Sequence, residues 1–405
     1  MKVLVATESR FSRTPDGCIW SSDWVNYSFC QRYLDVFDEV RVVARVRDVS
    51  SLPPAVARAD GPAVTVVSLP YYIGPWQFAR RYPALRRYVH DAVLPPAAVI
   101  LRVPGTIGTL VEKELRSAGR PFAVEVLGDP QEVFKPGGVP SRLRQFLRWW
   151  APLLLRRQCA RACAAAYVTA STLQQHYPPA AHVLSTVCSG IDLGDDAFVA
   201  RPRPPKTGSE AWNVLLVGSL EQLYKGPDVL IEATAICAAR GLQLRISIVG
   251  DGRYRAQLEE LARARGVARQ VRFVGKLTTG AAVRAELDAC DLFVLPSRTE
   301  GLPWALVEAM ARALPCVGSK VGGIPELLSA DELVSPGDRS ALAGKLYEVL
   351  TDPRRLARLS EENLDKARRF HFGALRPQRC AFYRVIRDAT EVWQQGHGLA
   401  KTLPI

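Results

Sequence analysis

Along the second half of the chain, short apolar runs rich in β-branched residues alternate with segments whose apolar positions recur at helical spacing. The runs 214–217, 244–249, 271–275, 292–295 and 315–318 predict strands. The segments 227–240, 253–265, 279–290 and 303–314 predict the helices between them. Such alternation is the mark of a parallel sheet, because each crossover helix returns over one face and both faces end up covered. Segments 341–350 and 353–369 predict closing helices. The first half repeats the scheme less regularly, with strands predicted at 3–6, 40–44, 64–68, 98–102, 123–127, 166–169 and 182–186. Helices are predicted there near 22–34, 108–118, 141–165 and 171–177.

Between the halves, 201–209 (RPRPPKTGS) is Pro-rich and basic, as a linker should be. At 405 residues the chain is too long for one ordinary core. The expected organisation is an α/β domain over 1–200, a linker over 201–209, a second α/β domain over 210–375 and a tail over 376–405.

With 48% hydrophobic and 23% charged residues, the chain has a globular composition, which argues against disorder. A net charge of +13 favours anionic partners: nucleic acid, phosphorylated small molecules or an acidic membrane face. Nine cysteines are scattered without a C-x-x-C pair, and Cys159 and Cys163 lack His or Cys companions at zinc spacing. They read as reduced core residues of a cytosolic protein. The opening MKVLVATESR suits a first strand rather than a signal peptide. No segment approaches the ~18 apolar residues of a spanning helix. The expected location is cytoplasmic.

Three passages carry candidate chemistry. In 292–328 a strand ends at Pro296, a polar loop follows, and Pro303 suits a helix first turn. Loop and helix start then sit at the carboxyl edge of the sheet, where open α/β folds bind ligands and free helix N–H groups favour a phosphate. Glu300 lies in the loop and Glu308 in the helix, offset so that each can accept from a different polyol. An isolated E-x7-E is ordinarily a pair of surface charges; the strand–loop–Pro–helix context favours function. In 214–233 a strand runs into Gly218, which permits close ligand approach. Lys225 follows before Gly226-Pro227, where a lysine reaches a diphosphate as a mobile point charge, although solvated loop lysines are common. In 321–326 (VGGIPE) paired glycines let backbone amides crowd an anion, or simply punctuate a turn.

Taken together, these passages resemble the retaining glycosyltransferases of family 4, over about 165 residues from Trp212 to Arg376. The resemblance implies the GT-B fold: two facing Rossmann-like, doubly wound domains with a cleft between them. It implies Glu300 on the transferred sugar, Glu308 on the nucleotide ribose and Lys225 on the diphosphate. Amides near Gly218, Gly301 and Leu302 would assist, and FVGKL places the backbone around Lys276 and Leu277 near the base. The first half looks like an acceptor domain of polysaccharide-building members, through 28–46 and EVLGDP (125–130). The 376–405 tail is expected to return to that domain.

The chain departs from the family pattern twice. Ser219 stands where the family often has arginine, so a diphosphate contact is missing, replaced, or supplied by Arg253 or Lys320. The five histidines lie away from EVLGDP, which leaves Asp129 or Glu125 to orient the acceptor. The resemblance implies retention of configuration by same-face attack. No D-x-D occurs, so Lys225 and helix termini are expected to do the charge work without a metal or other cofactor.

The stretch 141–161 sets Arg142, Arg144, Arg148, Arg156, Arg157 and Arg161 around Phe146, Trp149 and Trp150; Tyr71 to Tyr88 is a second basic, aromatic stretch. Either is a candidate for an anionic bilayer face, or an ordinary helix with its arginines in water. Nucleic-acid binding lacks a matching module. The rival functions are a GT-B-fold sugar-nucleotide 2-epimerase and a catalytically silent sugar-nucleotide-binding protein.

Overall fold

A computed structural model describes every residue except 54–55, 134–143, 189, 205, 207–210, 278–279 and 403–405. The chain divides into two compact units. One comprises Met1–Gly128, Trp150–Cys188 and Arg376–Ile405; the other comprises Asp129–Trp149 and Ser189–Leu375.

The first unit holds strands β1 (Lys2–Arg13), β2 (Ile19–Ser21), β3 (Glu39–Asp48), β4 (Ala57–Arg58), β5 (Val64–Pro70), β6 (Ala98–Val103), β7 (Ala123–Val126), β8 (Ala164–Tyr167) and β9 (Leu184–Val187). Parallel pairing gives the path β5-β3-β1-β6-β7-β8-β9. The strands predicted from apolar runs are all present. β1 runs on to Arg13 past an irregularity between Ala6 and Arg10, and there it pairs antiparallel with β2, which pairs with β4. That polar extension carries no apolar run to announce it.

The helix expected over 22–34 is only Tyr27–Cys30 followed by a 3-10 turn Gln31–Asp35. Asp23 takes the Val25 N–H into a turn at 2.8 Å, and Asn26 caps the Phe29 N–H at 3.0 Å, so the helix starts late. Gly74–Val93 is a helix of 20 residues that the apolar pattern does not reveal. It contains Pro83 and buries only Leu85, Val89, Ala92 and Val93. From Arg376 onward the C-terminal helix belongs to this unit, with Phe382, Tyr383 and Ile386 in its core.

The second unit holds β10 (Trp212–Val217), β11 (Leu244–Val249), β12 (Val271–Gly275), β13 (Leu292–Leu295), β14 (Cys316–Ser319) and β15 (Leu333–Val334). All pair in parallel, in the order β12-β11-β10-β13-β14-β15. β13 buries all four residues, as a central parallel strand must. Within the Pro-rich stretch, Arg203 is fixed in this unit by hydrogen bonds to the carbonyls of Arg312, Asp288, Cys290 and Leu287.

All nine cysteines are free, and burial pushes the Cys30, Cys159 and Cys188 thiols up to about 12. Among the described residues no helix is long and apolar enough to cross a membrane.

Candidate active site

The strand order of the second unit fixes where a ligand would sit. Successive strands run outward from β10 through β11 to β12, and the chain then returns to place β13 on the other side of β10. Loops after β10 and β13 therefore leave in opposite directions and open a crevice at the carboxyl edge, the switch point of a doubly wound sheet. Gly218 to Lys225 form the first loop and Pro296 to Pro303 the second.

These loops are pressed together by backbone contact. Gly226 has φ +72° and closes the 3-10 turn Leu223–Lys225; a Cβ there would lie 2.1 Å from the Pro296 carbonyl oxygen. On the far side Gly322, after β14, has φ +53°, and its Cβ would lie 2.1 Å from the Glu300 carbonyl oxygen. The next amide, Gly323 N–H, donates to Gly301 O at 2.8 Å. A side chain at either glycine would be strained and would also wedge the loops apart. The paired glycines of VGGIPE thus hold the Glu300 loop in place.

Lys225 Nζ donates to Glu300 Oε1 at 2.7 Å, with side chains 14% and 6% exposed. Ser297 Oγ, itself fully buried, donates to the same oxygen at 2.7 Å. Glu300 Oε2 has no hydrogen-bond partner among the described residues. The arrangement is a half-satisfied carboxylate beside an ammonium in a site with little solvent, where each interaction is stronger than in water. It can take a hydroxyl on the open oxygen and an anion on the lysine. A Cβ on Gly218 would lie 2.8 Å from Lys225 Cγ, so the glycine leaves room for the lysine stem.

Pro303 is extended, with φ −78° and ψ 108°, and serves as N-cap; the helix begins at Trp304, one residue later than the sequence suggests. Its N-cap makes no side-chain hydrogen bond. Leu302 is buried just ahead of the helix. Glu308 is half-buried in this helix, and desolvation raises its carboxyl above the ordinary value, with Arg284 opposing the rise. Lys276 and Leu277 follow β12 on the same edge, one strand beyond β11, with Lys276 exposed. Ser219 Oγ accepts the Glu221 N–H at 3.2 Å. Of the two cations that could replace the family arginine, Arg253 is occupied by the Glu221 carbonyl at 2.9 Å. Lys320 is exposed just after β14, with no ion pair among the described residues.

Residues 202–366 match the family model for glycosyl transferases group 1. The match covers most of the second unit and none of the first. The chain is 24% identical to protein CapJ of Staphylococcus aureus over 316 residues, 77% of this chain and 78% of CapJ. It is 36% identical to WcaL of Escherichia coli K12, named a putative colanic acid biosynthesis glycosyltransferase, over 38% of this chain and 40% of WcaL. Among solved structures, Anabaena HepE in complex with UDP-glucose superposes with a TM-score of 0.65 at 18% identity, covering 97% of this chain and 100% of HepE. That likeness shows the fold, and the GT-B class expected from the resemblance holds.

The acceptor-side candidates lie outside the matched segment 202–366. Asp129 is buried, and its Oδ1 accepts the Gln131 N–H at 2.8 Å at the start of the short helix Pro130–Val133. Glu125 is buried on β7 against Arg102, its register partner on β6; the Tyr33 hydroxyl lies 3.1 Å from both of its oxygens. That contact set makes Glu125 part of the core. Ser297 and Arg298 escaped the sequence reading. Their only signal was adjacency to Glu300 in PSRTEG, since neither shows a periodic or motif-bound position.

Proposed function

We propose that the protein is a retaining glycosyltransferase that moves a sugar from a UDP- or GDP-linked donor to a saccharide or lipid-linked saccharide in polysaccharide or glycoconjugate biosynthesis. The observation that carries the reading is the Lys225–Glu300 pair at the switch point, with one carboxylate oxygen unused among the described residues. The UDP-glucose bound to HepE and the naming of WcaL support the donor class and the process.

In this reading the anomeric C–O bond to the diphosphate breaks while the acceptor oxygen bonds to the same face of the sugar. The acceptor proton passes to the leaving phosphate oxygen. Lys225 and the amides near Gly218, Gly301 and Leu302 stabilise the charge growing on the diphosphate; one such donor is worth roughly 3–4 kcal/mol in the transition state. Glu300 positions the sugar and favours its cationic character. Glu308 takes the ribose, the backbone at Lys276 and Leu277 meets the base, and Ser219 lines the diphosphate loop. Asp129 is the carboxylate proposed for the acceptor side. With lysine and amides carrying the charge, transfer is proposed to need no metal, so EDTA should leave the rate unchanged.

The protein is proposed to work in the cytoplasm, peripheral on the inner membrane face. The helix Arg144–Arg161 supports this with Phe146, Trp149 and Trp150 exposed by 54%, 65% and 42% beside exposed Arg148, Arg156 and Arg157. Arg142 lies outside the described residues. Trp76, 87% exposed on the arginine-rich helix Gly74–Val93, adds a second such face. Glutamate at 148, 156 and 157 should abolish sedimentation with anionic liposomes; undiminished binding would remove the membrane proposal.

The test of activity is release of nucleoside diphosphate from UDP-glucose, UDP-galactose, UDP-N-acetylglucosamine and GDP-mannose, with and without saccharide acceptors. The anomer of the product would then be read by NMR. Release from at least one donor, accelerated by an acceptor and giving the donor's anomer, is expected. No release from any of them would sink the proposal.

A further inference from the structure

Lys225 carries the diphosphate in the reading above, yet it stands at the end of a three-residue 3-10 turn, a short element with few bonds of its own. What fixes that turn is Arg298, two residues before Glu300. Its backbone N–H donates to the Tyr224 carbonyl at 2.7 Å. Its guanidinium donates from Nη1 to the Leu223 carbonyl at 2.7 Å and to Asp228 Oδ1 at 2.9 Å, and from Nη2 to Asp228 Oδ2 at 2.6 Å. One side chain therefore grips the turn from beneath and the first turn of the following helix Pro227–Ala239 from the side. The backbone of the same residue leads directly into the Glu300 loop.

We propose that Arg298 is a positioning residue for the transfer reaction: through Leu223, Tyr224 and Asp228 it sets the Lys225 ammonium against Glu300 and the donor diphosphate. The proposal rests on the site reading given above. Its chemistry needs arginine in particular. A planar fork meets both oxygens of Asp228 while a third contact reaches a backbone carbonyl. Lysine, a single point donor on a flexible stem, keeps only part of this set. The salt bridge is partly exposed, with side chains 29% and 23% accessible, so its value as a pure stability element is small. Geometry at the reacting centre is a different matter, since displacement of a catalytic group by about 1 Å costs roughly a hundredfold in rate.

The experiment is a double-mutant cycle on donor hydrolysis, using the nucleotide sugar that the full-length wild-type enzyme cleaves fastest. Arg298→Gln should lower kcat roughly a hundredfold with the donor KM little changed. Arg298→Lys should fall between that variant and wild type, and Asp228→Asn should reproduce part of the loss. In a Lys225→Ala background, Arg298→Gln should cause no further slowing, because both changes remove one interaction. A role confined to stability would instead slow both backgrounds by the same factor. Should Arg298→Gln fail to fold, Arg298→Lys carries the same cycle. A slow Lys225→Ala enzyme beside a full-speed Arg298→Gln, or equal slowing in both backgrounds, overturns the proposal alone. A Lys225→Ala enzyme as fast as wild type overturns the site reading and the proposal with it.

Discussion

Glu125 and Glu300 are both shielded carboxylates near the carboxyl edge of a parallel sheet, one in each unit, and their surroundings are opposites. Glu125 has the Tyr33 hydroxyl on both oxygens, and Arg102 Nε lies 3.4 Å from Oε2. Arg102 is itself 2% exposed, its guanidinium 4.5 Å from the ring centroids of both Trp24 and Phe29. Nε, Nη1 and Nη2 of Arg102 are buried and make no hydrogen bond among the described residues, so this carboxylate is held by charge and one shared hydroxyl inside the core. Glu300 concentrates its two donors on one oxygen and leaves the other open among the described residues. Burial and charge alone thus do not mark a binding carboxylate; a loop position at the switch point, beside a lysine that donates to one oxygen, does.

The comparison breaks most visibly at Glu125. Replacing it by alanine leaves Arg102 buried without a counter-charge, which should cost about 3–5 kcal/mol. Urea unfolding would show the loss, while donor hydrolysis per folded molecule should be unchanged. Glu300→Gln should do the reverse. Its unfolding curve should stay near wild type, and kcat should fall roughly 10–150-fold, the worth of a hydrogen bond to a charged group, about 1.5–3 kcal/mol. Gly322→Ala sits between the two: positive φ strain of about 1–3 kcal/mol, together with displacement of the Glu300 carbonyl. Turnover should then fall by more than the lost folded fraction explains, as activity and circular dichroism on the same sample would show.

The smallest effect concerns Glu308. Its carboxyl is raised above the ordinary 4.5 by desolvation, so the folded state holds that proton more tightly than the unfolded state does. Stability is therefore favoured in acid and is lost as pH rises from the ordinary value through the raised one. Glu308→Gln escapes the penalty. Its Tm should exceed wild type by roughly 1–3 °C at neutral pH. The difference should vanish in acid, and nucleotide affinity should fall throughout. A Tm gap independent of pH would contradict the assignment of the shift to burial.

Much of the second unit was legible before any coordinates. Its central strands β10 and β13 read as apolar runs at Val214–Val217 and Leu292–Leu295, and the loops carrying Lys225 and Glu300 follow them in a fixed rhythm. The first unit hid more. The extension of β1 to Arg13 is largely polar, its antiparallel partners are only two and three residues long, and the helix Gly74–Val93 presents few buried residues and two prolines. The Arg102–Glu125 pair becomes visible only once β6 and β7 are set in register. Arg298 was invisible for a related reason: its side-chain partners lie 70 and 75 positions away, and only the switch in strand order brings them together.

Calorimetric titration of UDP and GDP into wild-type protein and Lys225→Met tests the donor pocket most directly. One of the two nucleotides should bind wild type at one site per chain, and Lys225→Met should weaken it by about tenfold or more, as loss of a charge-assisted contact of about 1.5–3 kcal/mol requires. Equal affinity in both proteins, or no binding of either nucleotide to wild type, would contradict a diphosphate seat at Lys225.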